Sequence, residues 1–276
     1  MATTTLRLNE AEYLGGGSFG TVFGGTMADN PVAVKLVGWK HRSIFEREHA
    51  ALQKVTMHPN ICRIFGTETV GDRFALIMQR LTKDNLLEYM MSQGPFVEST
   101  VCSIMHPIIA AVAHCHRNMV THCDIKLENV GFDMLRQPVL IDFGAANTGR
   151  SGSIAYAAPE TFSKTDALDV SHYVRFSKRD VWSLAVCIFA LTQGVFPFQV
   201  ANPVDWRFKR VFPKGDESRQ KLNVSVASQV CCLYSRASKL SLELDALLDT
   251  MFVIDPDDRL PAQDVLTHGW FKAGNA

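Results

Sequence analysis

Thr121-His122-Cys123-Asp124-Ile125-Lys126-Leu127-Glu128-Asn129, followed downstream by Asp142-Phe143-Gly144, is the stretch around which the rest of the chain can be read. Four residues separate Asp124 from Asn129, in the pattern H-x-D-x-x-x-x-N. Val139, Leu140 and Ile141 precede Asp142 as a short apolar run, which reads as a buried strand. Two carboxylates and one amide on loops beside strands suit a site that holds a divalent metal and orients a hydroxyl. Magnesium takes hard oxygen ligands, commonly one or two protein groups plus phosphate oxygens, and Asn129 and Asp142 are the candidates. Asp124 is then the candidate to accept the proton of an attacking hydroxyl. A lone loop aspartate would mean little; the weight lies in the joint pattern with a Gly-rich stretch and a strand lysine upstream.

That upstream stretch, Glu10 to Val22, reads E-A-E-Y-L-G-G-G-S-F-G-T-V. Gly15, Gly17 and Gly20 have the spacing G-x-G-x-x-G. Glycine lets backbone N–H groups approach phosphate oxygens with no side chain in the way. A dinucleotide-binding turn shares the spacing but needs a helix directly after it. Thr21, Val22 and Phe23 are strand formers, so a Gly-rich turn between two strands, folded over a nucleotide, is expected. Pro31 to Val37, P-V-A-V-K-L-V, sets Lys35 in an apolar strand. A lysine there costs desolvation unless it is paired; the plainer alternative is an edge-strand lysine facing water.

Together, G-x-G-x-x-G-x-V ending at Val22, V-A-V-K ending at Lys35, the Asp124–Asn129 pattern, Asp142-Phe143-Gly144 and Ala158-Pro159-Glu160 resemble the eukaryotic protein kinase family over nearly the whole chain. The resemblance implies an α+β, bilobal protein-kinase-like fold. It would have a small β-rich N-lobe with one main helix, about residues 1–81, and a larger helical C-lobe, about 82–276, in a single domain. It implies ATP and Mg2+ as cofactors, with Asn129 and Asp142 as metal ligands. Asp124, Lys126, Lys35 and Glu48 would be the catalytic set. Lys35 would bridge the α- and β-phosphates and an acidic residue of the next helix. Glu46 and Glu48 both qualify, and the spacing back from His58-Pro59-Asn60 favours Glu48, although the segment after Lys35 is shorter than usual in the family. Lys126 marks serine/threonine rather than tyrosine kinases. The nucleotide would lie against Leu14, Gly15, Gly16, Gly17, Ser18, Phe19, Gly20, Thr21, Val22 and Ala33. Met78 would take the gatekeeper place, and backbone groups from Gln79 to Leu81 would meet the adenine edge. Gly152-Ser153 with Tyr156 would form the floor beneath the acceptor residue. Asp180 of Asp180-Val181-Trp182-Ser183 would cap the catalytic loop, and Arg259 would pair with Glu160.

The chain also departs from the family. Cys123 stands where most members have the arginine that pairs with a phosphorylated activation loop. Leu127 replaces a common proline. The segment from Asp142 to Glu160 is short, with Thr148, Ser151 and Ser153 as its hydroxyls. Activity without activation-loop phosphorylation is expected; the competing view is that Arg150 or a small-lobe residue replaces the missing arginine. Thr161 to Lys178 reads as a surface insertion near the substrate groove.

Elsewhere, Ile61 to Val70 and Arg73 to Gln79 read as strands joined at Gly71-Asp72. Asn85 to Gln93 and Glu98 to Asn118 read as helices, the second starting near Ser99 or Thr100. Val181 to Leu191 reads as a buried helix, too short to span a bilayer. Pro261 to Trp270 reads as a closing helix. His106, His114 and His116 read as helix-face or core histidines rather than metal ligands. The 28 basic and 28 acidic residues balance, which gives no pointer to nucleic acid or a membrane surface. Seven cysteines without metal or disulfide spacing suit reduced thiols in the cytoplasm or nucleus. Met1 to Glu12 has no apolar signal region. A monomer acting on Ser/Thr-bearing protein substrates is expected, with no nucleic-acid or membrane partner. Its origin, cellular or encoded by a large DNA virus (and then acting in the host cell), stays open. The alternatives are a pseudokinase scaffold on the same fold and a small-molecule phosphotransferase. Against the first, none of Lys35, Asp124 or Asp142 is lost. Against the second, the Ala158-Pro159-Glu160 segment serves a peptide substrate.

Overall fold

A computed structural model of the chain describes residues 6–17, 20–55, 57–149, 153–162, 171–213, 224–235, 238 and 240–273. Five antiparallel strands build the first part: β1 (Leu6–Gly17), β2 (Gly20–Met27), β3 (Asn30–Gly38), β4 (Ile64–Val70) and β5 (Arg73–Gln79), in the order β1-β2-β3-β5-β4. Side chains alternate across a strand, and β3 shows what that does. Val32, Val34 and Leu36 join Ala75 and Ile77 in one apolar cluster on the outer face. Ala33, Lys35 and Val37 therefore face the other way, towards α1 (Arg42–Val55). The helix buries Phe45, Glu48, Ala51, Leu52 and Val55 along one face. Glu48 is the one charge on that apolar stripe, so the fold has to supply a cation for it.

β4 begins at Ile64 rather than Ile61. The residues before it pair instead with the second sheet, β6 (Val130–Phe132) and β7 (Pro138–Leu140). Cys62 N–H donates to Leu140 O at 2.9 Å, and Leu140 N–H donates to Asn60 O at 2.8 Å. On the other side, Thr82 N–H donates to Phe132 O at 2.8 Å. The hairpin that carries the catalytic loop at one end and Asp142 at the other is thus stitched to the first sheet on both sides.

The helical part comprises α2 (Leu86–Gln93), α3 (Glu98–Arg117), α4 (Ser171–Gln193), α5 (Trp206–Val211), α6 (Val226–Leu233), α7 (Leu242–Met251), α8 (Ala262–Val265) and α9 (Gly269–Ala273). α2 starts with a capping box: Glu88 N–H donates to Asn85 Oδ1 at 3.0 Å, and Asn85 N–H donates to Glu88 Oε2 at 3.1 Å. Asn85→Ala is expected to cost about 1 kcal/mol, read as a lower urea midpoint at unchanged slope; an unmoved midpoint would show that the box contributes nothing. α3 begins at Glu98 as expected, with Ser99 and Thr100 in its first turn. Its N-cap is Val97, which offers no side-chain oxygen. Glu98 in the first turn instead accepts from Ser241 N–H, Ser241 Oγ and Trp270 Nε1 at 2.6, 2.7 and 2.8 Å, tying three helical segments together.

Two further expectations are corrected. Ser171 to Lys178 is not a surface insertion but the first turns of α4, the helix that continues through fully buried Val181 and Trp182; residues 163–170 lie outside the described residues. The closing helix is broken into α8 and α9, because His268 Nδ1 accepts Trp270 N–H at 3.4 Å and starts a new turn. Arg259 and Glu160 form the expected bidentate pair at 2.8 and 3.0 Å, with the arginine buried over the Trp182 ring.

Candidate active site

The strand and helix registers bring Lys35 and Glu48 together. Lys35 Nζ donates to Glu48 Oε1 and Oε2 at 2.8 and 2.7 Å, and to Asp142 Oδ1 at 2.7 Å. Glu46 lies on the opposite face of α1 and pairs with Arg42 at 2.6 Å. Burial pushes the Lys35 ammonium down, but the two carboxylates override it and raise its pKa above the ordinary lysine value. Burial raises Glu48 more than Lys35 lowers it, and Asp142 adds to the rise. Burial also acts to raise Asp142, yet Lys35 prevails and holds that carboxyl below the usual range.

The catalytic loop is held from behind by Asp180, whose carboxylate accepts His122 N–H and Cys123 N–H, both at 2.9 Å, and contacts His116 Nε2 at 2.9 Å. His122 Nδ1 accepts Asp124 N–H at 3.2 Å, so Nε2 carries the proton given to Ile141 O at 3.0 Å. This histidine therefore couples the loop to the strand end before Asp142. Cys123 and Asp142 both have left-handed backbones, φ 63° and 61°, a strained choice for residues other than glycine that clusters at functional sites.

Asp124 has two unlike oxygens. Oδ2 accepts from Lys126 Nζ at 2.8 Å and from Asn129 Nδ2 at 3.2 Å. Oδ1 is buried and has no hydrogen-bond partner among the described residues. Lys126 also donates to Ser153 Oγ at 3.1 Å, which places Ser153 beside the loop as expected. Asn129 Nδ2 donates to Asp124 O at 2.8 Å as well, so both donors turn inward and the amide oxygen is the free end. Asp142 is half-exposed; its Oδ1 serves Lys35 and Gly144 N–H, and Oδ2 makes no hydrogen bond among the described residues. Phe143 is buried with its ring edge-on to His122.

Cross-strand pairs share a face. Val22 pairs with Lys35, and Met78 with Ala33, so these four line one surface below the sheet. Gly15 and Gly17 look into open space, whereas a Cβ on Gly20 would meet Leu36 O at 2.7 Å. Leu14 sits half-buried at a register shift in β1, and Gly16 packs on the Tyr13 hydroxyl. Thr21 pairs with Leu36 of the outer cluster, so only its backbone belongs to the lower face. Ser18 and Phe19 lie outside the described residues, as do Arg150, Ser151 and Gly152. Gln79 N–H donates to Arg63 O at 2.8 Å, so that donor is used within the protein. Leu81 follows, half-buried.

Two contributors were not anticipated from the residues alone. Arg47 of α1 reaches Gly144 O at 3.2 Å, and the helix register one residue from Glu48 would have been the signal. His122 was read only as part of the motif, and its role as a bridge needs the tertiary contact with Ile141.

The sequence pattern described as the protein kinase domain matches residues 8–271. The chain is 27% identical over 270 residues to "Probable serine/threonine-protein kinase MARK-A" of Dictyostelium discoideum, covering 94% of this chain and 24% of that protein. It is 29% identical over 279 residues to "Serine/threonine protein kinase OSK3" of Oryza sativa subsp. indica, covering 96% and 50%. It is 27% identical over 267 residues to "Putative ribosomal protein S6 kinase alpha-2" of Caenorhabditis elegans, covering 87% and 32%. The chain thus spans from about a quarter to a half of the length of these relatives. With nearly all of the described fold inside the matched stretch, the chain belongs to the protein kinase domain family.

Proposed function

We propose that the chain is a serine/threonine protein kinase. It would transfer the γ-phosphoryl group of Mg·ATP to a protein hydroxyl, without a need for phosphorylation of the segment after Asp142. The observation that carries this reading is the bare, buried Oδ1 of Asp124. A buried carboxylate oxygen without a partner is costly, and an acceptor hydroxyl placed there would satisfy it while giving up its proton. Lys126, fixed between Asp124 and Ser153, offers positive charge beside the same oxygen pair. The Lys35–Glu48 pair is already closed, which sets an ammonium where phosphates under the Gly-rich turn would lie. The relatives' names, as serine/threonine kinases, support serine and threonine as acceptors.

The donor set fits magnesium. The amide oxygen of the buried Asn129 and Oδ2 of Asp142 are hard oxygens that make no hydrogen bond among the described residues. That is what an ion shared with phosphate oxygens requires. When bound, the ion would neutralise charge on the phosphates. Asp142→Asn is expected to weaken magnesium–nucleotide binding about tenfold, about 1.4 kcal/mol, and metal-free nucleotide binding far less. Equal losses in the two calorimetric titrations would remove Asp142 from the metal site.

We further place the protein in the cytoplasm or nucleus as a monomer acting on proteins. Its seven free cysteines support a reducing compartment, and among the described residues no helix is long and apolar enough to cross a membrane. Radiolabelled ATP with casein or a basic protein tests the reading: label on serine or threonine is expected. A folded, nucleotide-binding preparation that transfers nothing to any protein acceptor would overturn it.

A further inference from the structure

The segment after Asp142-Phe143-Gly144 is fastened to the catalytic loop by uncharged groups. Asn147 N–H donates to Thr121 O at 3.0 Å, and Asn147 Oδ1 accepts Thr121 N–H and Oγ1 at 2.7 and 3.0 Å. Next along the chain, Gly149 lines the same small cavity as Cys123, whose sulfur meets Thr121 Oγ1 at 3.2 Å. The cysteine that replaces the expected arginine therefore lies beside this backbone with no charge of its own. The Gly149 carbonyl meets α4: Arg179 Nη1 donates to Gly149 O at 2.5 Å. Arg179 is only 6% exposed and lies over the Phe176 ring, 4.9 Å from its centroid. Cys123, Gly149 and Arg179 line one small cavity with Thr161, Asp180 and Ser183.

Gly149 carries independent support for a built contact. Its φ is +62°, and a Cβ there would come within 2.2 Å of Phe176, the ring that carries the guanidinium. Only glycine lets the backbone come this close. The Gly149 carbonyl is held by the guanidinium, in the cavity that Cys123 also lines.

We propose that Arg179, beside the uncharged Cys123, is a built-in anchor of this segment. Its guanidinium enters from α4, not from the residue before Asp124, and it holds a backbone carbonyl in place of a phosphate. Arg179 is then a positioning residue: it fixes Gly149 on the catalytic-loop side of α4, and so bears on the contact of Ser153 with Lys126, without modification. This rests on the kinase reading above and gives that reading its regulatory consequence. A phosphate cannot substitute for the contact, because the charge that would receive it is already engaged.

The test uses the full chain made in bacteria, with and without phosphatase treatment, and the variants Arg179→Ala, Arg179→Lys and Gly149→Ala. Phosphatase is expected to leave the wild-type rate within about twofold. Arg179→Ala should lower kcat for a protein acceptor about tenfold or more, leave the KM for ATP and the melting temperature near wild type, and regain rate when free guanidinium is added at millimolar concentration. Arg179→Lys should keep part of the rate, and Gly149→Ala should reproduce the loss. A wild-type kcat in Arg179→Ala would overturn the proposal. So would a loss that tracks nucleotide binding and melting temperature and that guanidinium does not relieve, since that marks a fold contact alone. If Arg179→Ala does not fold, a normal kcat in Gly149→Ala overturns the anchor and a reduced one upholds it. A fall of about tenfold on phosphatase treatment would overturn it while leaving the kinase reading intact. No transfer by the wild type in any state would overturn both.

Discussion

Asp124→Asn is expected to lower phosphoryl transfer by about a thousandfold, within the range of roughly 10²–10⁴ that a positioned general base contributes, while the melting temperature and nucleotide affinity stay unchanged. The two oxygens of Asp124 explain why the loss should be so selective. Oδ2 is anchored by two donors, Lys126 Nζ and Asn129 Nδ2, and an asparagine carbonyl can accept both bonds. The new NH2 then falls where Oδ1 stands, buried and unpartnered. An amide nitrogen there cannot take a proton from an incoming hydroxyl and would present a donor to the donor it meets. The local fold survives because every existing bond of the side chain is kept. Label transfer by the folded variant at a near-normal rate would remove Asp124 from the proton-accepting role.

Lys35→Met is expected to cut transfer by about a hundredfold or more and also to destabilise the protein. The second effect follows from the structure rather than from the motif. Glu48 is 1% exposed on the apolar face of α1, and Lys35 is the cation that its carboxylate touches. Removing one partner of a buried pair costs about 3–5 kcal/mol, because the other charge stays behind. The variant should therefore melt lower than wild type, whereas Glu46→Gln, on the exposed face, should change neither property. The pH dependence has a definite sign. Burial and Asp142 already raise Glu48 with Lys35 present, and without Lys35 the rise is larger. A carboxyl raised in the folded state adds stability while it is protonated and loses it as pH rises through its folded pKa. Asp142, lowered in the wild type chiefly by Lys35 acting against burial, contributes stability that disappears as pH falls. Both trends shrink the gap between variant and wild type in acid. A gap that widens as pH falls, in paired denaturation curves, would show that the Lys35–Glu48–Asp142 cluster is not its source.

Much of the molecule was legible in order along the chain. The Gly-rich turn between strands, the lysine strand, the catalytic loop, the Asp142 turn and the buried helix from Val181 are each encoded within about ten residues, through side-chain alternation, glycine spacing and apolar runs. Such signals survive in a linear reading because the backbone conformation they specify is local. The pairings that make a site of them are not local. Whether Glu46 or Glu48 meets Lys35 depends on which face of α1 packs on the sheet, and one apolar stripe, Phe45 to Val55, decides it. Gln79 N–H pairs with Arg63 O because β4 and β5 meet at that register. α3 starts after a valine without a capping oxygen, and its first-turn Glu98 is held by Ser241 and Trp270 from far along the chain, contacts that no local signal announces. The absence of arginine before Asp124 was plain from Cys123 itself. That another guanidinium arrives at the same cavity from α4 could come only from the packing of the helix against the loop, since a charge is placed by the element that carries it and not by its distance along the sequence.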